Sequence, residues 1–369
     1  MSMSIDDMLR PMQGFLRKRI SSLHRLSVAA HHYNTSLLYQ IRRFKRLHDR
    51  QLFSLDDALF WGLTDPALAT EETDGYLSRE AATRLRARVN APSAFITVND
   101  KACFYRLCRE NALPVPATFG VLDRAPAPAR ATRSIDFHNV HVDLDELPDG
   151  EIIAKPACGM KGIGLHLFDK RGNSFFMDGR EMDAPALRHF LRTEIPDDEI
   201  ILQRRLVSHP LLSELSGGNA VQSARIVTFL DSRGIAHILF ARFKFVRKIS
   251  LIDNFADGET GNFVADIDVE SGRIIKVVKK TPGLVGLQPI THHPDTGRSL
   301  LVTLPCWHEA VRLSLEGARR FKNLRSLGWD IALTPEGPII LEANQEWEIF
   351  PVGPYKKPAP LGDWESLIR

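Results

Sequence analysis

The turn signal Thr334-Pro335-Glu336-Gly337-Pro338 joins two apolar stretches, and each stretch carries a carboxylate among its aliphatic residues. Gly328-Trp329-Asp330-Ile331-Ala332-Leu333 and Ile339-Ile340-Leu341-Glu342-Ala343-Asn344 read as the arms of a tight β-hairpin. Centring the hairpin on Glu336 sets Thr334 opposite Pro338 and Asp330 opposite Glu342. Asn344, two residues further on, lies on the Glu342 face. Opposed positions hold their Cβ atoms about 4.5–5.5 Å apart. Two carboxylates that close repel, and apolar neighbours such as Trp329 and Leu341 penalise the charge further. A hard divalent cation with oxygen ligands resolves the conflict, and Asp, Glu and Asn are the donor set magnesium takes. A solvated acidic face, or a carboxylate pair with one raised pKa, would also fit the pattern.

Three upstream segments carry further chemistry. In Val98-Asn99-Asp100-Lys101, Asn99 can cap a helix running to about Glu110, and Pro114 and Pro116 force an extended exit. Lys101 then sits in the first turn, among N–H groups that favour an anion. In Ile152 to Lys155 and Ile163 to Phe168 the pattern is two strands. The loop between them carries Gly159, Gly162 and Gly164, so it is a glycine-rich hairpin and neither a Walker loop nor a dinucleotide fingerprint. Such a loop can close over phosphates because its N–H groups approach without Cβ obstruction, with Lys155 as a charge at its base; a plain surface hairpin has the same sequence signature. In Glu199 to Gln203 an apolar strand runs into a polar bend, an edge that can offer backbone groups to a purine ring. Arg225, and the pair Arg242 and Lys244, sit on two further strands. Phe243 and Phe245 face away from that pair, which suits either the polar side of a half-buried strand or stabilisation of a transferring phosphoryl group or oxyanion.

Composition bounds the rest. The chain has 369 residues, 44% hydrophobic and 25% charged, which excludes wholesale disorder and suggests about two domains. A net charge of +3 argues against a nucleic-acid coat, and four cysteines argue against a disulfide scaffold. Cys103, Cys108, Cys158 and Cys306 lack zinc spacing and read as incidental thiols. The adjacent pairs His31-His32 and His292-His293 read as surface or loop histidines. No apolar run reaches the roughly 18 residues of a membrane span, and the N-terminus lacks a secretory h-region, so a cytoplasmic protein is expected. Residues 1–50 hold ten Lys/Arg against three Asp/Glu, +7, leaving −4 for the remainder. Their helical apolar spacing fits a segment packed on the main body with its basic face in solvent, or a surface that meets anionic lipid or an acidic partner. Ser54 and Ser78 mark further helix starts. Residues 123–148 read as a Pro/Ala-rich linker turning acidic, and residues 351–369 as a Pro-rich tail.

Taken in order, these segments resemble the ATP-grasp superfamily, and in detail its sugar-transfer-associated family. The resemblance runs over about residues 96–350. It is carried by Asn99-Asp100-Lys101, Ala154-Lys155-Pro156 with its glycine loop, Gln203 to Pro210, Ala224 to Thr228, Ile252-Asp253-Asn254-Phe255, His293 to Gly297, Leu304 to Trp307 and Gly328 to Asn344. It implies an α+β fold: a mainly helical region over 1–95, an N-lobe over 96–200 and a C-lobe over 201–350, the lobes clasping ATP. It further implies that Lys101, Lys155 and the Gly159, Gly162, Gly164 loop contact the phosphates. Gln203 to Leu206 would hold adenine, Asp330, Glu342 and Asn344 would hold magnesium, and Arg225 and Arg242 would face the transferring group. Many ATP-grasp enzymes carry Glu where this chain has Gln203, and Asn219 to Arg225 departs from a Ser-x-Asn-Thr-x-Arg-like run. The expected activity is carboxylate–amine ligation through an acyl phosphate, with an amino sugar or polysaccharide precursor as acceptor. A kinase acting on a hydroxyl and a catalytically silent nucleotide-binding module are the alternatives.

Overall fold

The computed structural model describes residues 20–123, 143–159, 162–195, 199–218, 220–247, 253–283, 285–350 and 352–353. Most of the expected linker and tail lies outside the described residues. The chain opens with helices α1 (20–32), α2 (Leu37–Gln51), α3 (Leu55–Phe60), α4 (Thr70–Asp74) and α5 (Arg79–Val89). Ser36, Ser54 and Ser78 each accept from the N–H three residues on, which starts α2, α3 and α5 as their N-caps. Helices α6 (Ile96–Asn99) and α7 (Lys101–Glu110) follow. The cap of α7 is Asp100, whose carboxylate accepts from Cys103 N–H at 3.0 Å; Asn99 instead ends α6.

A six-stranded antiparallel sheet comes next. It contains β1 (Thr118–Asp123), β2 (Gly150–Pro156), β3 (His166–Arg171), β4 (Ser174–Met177), β5 (Arg180–Met182) and β6 (Glu199–Arg204), in the order β1-β6-β2-β3-β4-β5. Helix α8 (Ala184–Glu194) packs Leu187 and Leu191 against Ile152, Ala154 and Phe168 on one face of it. The strand expected from Ile163 begins only at His166, because Gly162 and Gly164 adopt left-handed φ of +74° and break the extended run. Strand β6 is no edge: β1 and β2 pair with it on both sides. The division expected after residue 200 falls inside β6, and the chain leaves this sheet only past Arg204.

The second sheet has seven antiparallel strands. They are β7 (Ser223–Leu230), β8 (Ala236–Phe245), β9 (Phe263–Ile267), β10 (Ile274–Lys279), β11 (Gln288–Ile290), β12 (Ser326–Thr334) and β13 (Gly337–Asn344), in the order β11-β10-β9-β8-β7-β12-β13. Helix α9 (Pro210–Ser216) leads into it, and α10 (Trp307–Arg320) covers its back. There Ile226, Trp329 and Ile331 join the main core with Ala310 and Ala318. The front face is shared. Val227, Phe229, Phe240 and Trp347 are covered by Phe53, Trp61, Leu77 and Leu85 of the helical region, so strands expected to be half-buried are buried on both faces. His293, read from sequence as a surface or loop residue, lies in a loop but is fully buried, with Nε2 2.8 Å from the Val246 carbonyl and Nδ1 accepting from Asp295 N–H; His292 is exposed.

Candidate active site

The β12–β13 hairpin turns more tightly than its sequence suggests. Thr334 faces Gly337, not Pro338, leaving a two-residue loop of Pro335 and Glu336, the length a hairpin favours. The Thr334 hydroxyl donates to the Gly337 carbonyl at 2.7 Å and closes it. Taken alone, this register would set Asp330 opposite Leu341 and turn Glu342 to the back of the sheet. A bulge at Leu341 adds one residue and restores Asp330 opposite Glu342. Asn344, paired with Gly328, donates its amide to Glu342 Oε1 at 3.1 Å.

Asp330 continues a line of charge across the front face. Cross-strand pairing places Glu342, Asp330, Arg225, Arg242 and Asp266 in succession on β13, β12, β7, β8 and β9. Arg225 clasps Asp330 with Nε on Oδ1 and Nη2 on Oδ2, the latter at 2.8 Å. Lys244 adds a third contact to Oδ2 at 3.1 Å and lies 3.2 Å from Asp253 Oδ2. The Ser223 hydroxyl donates to Asp253 as well. Arg242 Nη1 holds Asp266 Oδ1 at 2.6 Å. Burial by itself would raise the Asp330 carboxyl, but Arg225 and Lys244 overcome it and hold the group well below the usual carboxylate range. Burial disfavours the charged forms of Arg225 and Lys244, and their carboxylate partners more than reverse that. Tyr76 of the helical region is buried, and burial, with Glu72 adding to it, pushes its hydroxyl up to about 12.

Gly328 makes the crowding around Arg225 feasible. A Cβ there would lie 2.5 Å from Trp347 Cβ and 3.0 Å from Arg225 Cδ. Trp347 fills this space, its indole N–H donating to Ser326 Oγ at 2.9 Å.

The opposite wall comes from the six-stranded sheet. Lys155 shares a face with Ile201, its partner on β6, and that face belongs to the main core. Lys155 Nζ donates to the Tyr105 hydroxyl at 2.7 Å, and that hydroxyl donates to the Leu341 carbonyl at the bulge, at 2.8 Å. Helix α7, β2 and β13 therefore meet at one phenol. Burial pulls the Lys155 ammonium down to about 8, with Glu342 opposing. Burial raises the Tyr105 phenol. Lys101, at the start of α7, donates to the Gly159 carbonyl at the root of the glycine loop, while its own N–H bonds Ala157 O at 3.0 Å. Gln203 is buried, its amide 3.4 Å from Thr118 Oγ1, so its side chain is occupied within the fold. The N–H groups of Arg204 and Arg205 bond Ala117 O and Glu151 O, and Leu206 is the first residue past this pairing.

The structure thus gathers Asp330, Glu342, Asn344, Arg225 and Arg242 on one face, and Lys155 and Lys101 on the other wall. Sequence reasoning paired Lys244 with Arg242 and quoted Asp253 within a family motif, but it did not select Tyr105. Tyr105 stands four residues after Lys101 on the same helix face, and Lys244 two after Arg242 on the same strand face, signals present in the spacing. Asp253 reaches the site by a loop, which no periodicity reports. Among the described residues no three His, Cys, Asp or Glu side chains cluster as a metal centre. The oxygen donors that remain fit a hard cation. Asp330 offers about four lone-pair positions and gives three to Arg225 and Lys244, while Glu342 and Asn344 stand beside it.

A sequence model of the sugar-transfer associated ATP-grasp family matches residues 80–353. No curated protein matches the chain. Solved structures similar to it include a D-alanine–D-alanine ligase from Bacillus anthracis, at 11% identity and TM-score 0.36 over 70% of this chain and 59% of that one. An L-amino acid ligase from Bacillus licheniformis is similar at 11% and 0.37 over 68% and 41%. The biotin carboxylase domain of Hydrogenobacter thermophilus 2-oxoglutarate carboxylase, in complex with MgADP, ADP and bicarbonate, is similar at 11% and 0.40 over 73% and 46%. The chain spans roughly half the length of these structures.

Proposed function

Since the chain belongs to the sugar-transfer associated ATP-grasp family, we propose that it binds ATP between its two sheets and uses it to join a carboxylate to an amine, with an amino sugar or saccharide precursor as acceptor. The observation that carries this reading is the charge line Glu342–Asp330–Arg225–Arg242, with Lys155 tied to the Glu342 strand through the Tyr105 hydroxyl. Lys101 and Lys155 meet the phosphates, and the Gly159–Gly164 loop covers them and excludes water. The backbone past Arg205, from Leu206 on, holds the adenine edge. Glu342 and Asn344, with the remaining acceptor position of Asp330, would hold magnesium, which neutralises phosphate charge when bound. Arg225 gives Asp330 two of its five donors and keeps the rest for the transferring group, with Arg242 beside it. A substrate carboxylate oxygen attacks the γ-phosphorus and ADP leaves. The amine then attacks the acyl carbon, and phosphate departs with the electron pair of the C–O bond.

ADP release by the purified chain, measured across carboxylates and amino sugars with hydroxylamine as trap, tests this. A hydroxamate formed in step with ADP is the expected result. ADP release with a stable phosphorylated hydroxyl and no hydroxamate would establish the kinase instead. ATP binding without turnover on any substrate, unchanged by Glu342→Ala, would leave only a binding module.

A further inference from the structure

The basic N-terminal helices carry an apolar surface that the clasp of the two sheets does not use. Among the described residues eleven large hydrophobic side chains are exposed, and five of them, Ile20, Leu23, Val28, Leu37 and Leu38, fall between residues 20 and 38. The other six are scattered from Ile96 to Leu301, so this concentration is the one that forms a surface. On α1 the positions Ile20, Leu23, His24, Ser27, Val28 and His31 recur at three- and four-residue spacing, which makes one outward stripe without a carboxylate. The opposite stripe, Leu26, Ala29 and Ala30, is buried against the body. On α2, Leu38 is exposed in the first turn, and Arg42 and Lys45 follow on its side of the helix.

Charge selects the occupant. Residues 20–51 carry six Lys/Arg against the single Asp49, and Arg17-Lys18-Arg19 immediately precede them. Asp49 is taken by Lys45, Arg25 pairs with Asp56, Arg46 and Arg50 share Asp74, and Arg43 donates to the Leu63 and Leu68 carbonyls, so the exposed cation beside Leu38 that selects the occupant is Arg42. An acidic protein would use the cations but leave the aliphatic stripe without a partner, and a second copy would bring like charge against like charge. We propose that α1 and the start of α2 lie on an anionic lipid bilayer, with Ile20, Leu23, Val28, Leu37 and Leu38 at the headgroup–acyl boundary and Arg42 on lipid phosphates. Such a site would hold the nucleotide cleft beside a membrane-borne substrate. Among the described residues no helix is long and apolar enough to cross a membrane, so contact through this surface is peripheral.

Co-sedimentation of the full chain with vesicles tests it. Phosphatidylcholine vesicles containing phosphatidylglycerol should bind the chain, phosphatidylcholine alone should not, and salt should weaken the binding. The double variant Leu23→Ser/Leu38→Ser should bind about tenfold more weakly through lost apolar area. Arg42→Glu should do the same through charge, and its thermal midpoint should match the parent chain. Equal binding to both vesicle types, no binding to either, or binding indifferent to all of these variants overturns the proposal. So does a dimer in solution that Leu23→Ser/Leu38→Ser dissociates while vesicles bind nothing. Nucleotide turnover is a separate readout: its failure does not bear on vesicle binding.

Discussion

Lys155 is the side chain whose chemistry is set most directly by its surroundings. Burial brings its ammonium down to about 8, so the nucleotide-free chain holds that proton only partly at slightly alkaline pH. A phosphate placed beside it favours the charged form, so nucleotide binding takes up protons. Calorimetric titration of ATP in buffers of different ionisation enthalpy should show this uptake near pH 8. It should fade toward pH 7, where the ammonium is already charged, and vanish in Lys155→Met. Gly328 tests the opposite kind of constraint, one of space. Adding a methyl in Gly328→Ala forces Trp347 or Arg225 to move, for a loss of about 2 kcal/mol in chemical unfolding and a fall in turnover. The pairing of Arg225 with Asp330 was beyond sequence reasoning. The two residues are far apart in the chain, and each alone reads as a ligand for substrate or metal rather than for the other.

At the scale of elements, the β12–β13 hairpin shows how much a pattern can carry. Its alternation of aliphatic and acidic residues was legible, and so was the facing of Asp330 and Glu342. The route to that facing was not: a two-residue turn and a bulge at Leu341 each shift the register by one, and their effects cancel. Neither is written in hydrophobic periodicity, because both depend on the Thr334–Gly337 bond and on the bulge carbonyl finding the Tyr105 hydroxyl. Tyr105→Phe removes the donor to that carbonyl and the acceptor of Lys155. Stability should fall by about 1–3 kcal/mol, and the KM for ATP should rise more than kcat falls if Lys155 meets the phosphates as proposed, since the change loosens Lys155 without touching the charge line. Asp100→Ala, at the cap of α7, should cost about 1 kcal/mol by thermal or urea unfolding.

For the whole molecule, the proposed binding of ATP between the two sheets predicts linkage between binding and stability. Mg-ATP at about a hundred times its Kd should add about 2.7 kcal/mol to unfolding. A chelator, or Glu342→Ala, should remove most of that increment, measured for the variant against its own nucleotide-free midpoint because Glu342 is half-buried and bonded by Asn344. An unchanged increment would place the ion elsewhere. The helical region bears on the same site. It covers the Val227–Phe240 half of the front face, so it buries the strands that carry Arg225 and Arg242.

Local patterns in the chain were enough to determine the helical character of the N-terminal region, α7, the strands that carry the candidate site, the Ser54 and Ser78 caps and the ordered motifs by which the family is recognised, because these rest on spacing and on side-chain chemistry within a few residues. Only the tertiary structure decided that β6 is internal, that His293 and Gln203 are buried, and that Asp330 meets Arg225 and Lys244. Each of those outcomes depends on which distant strand or loop becomes a neighbour, and the energies that choose it arise from packing and desolvation that exist only after the two sheets and the helical region have assembled.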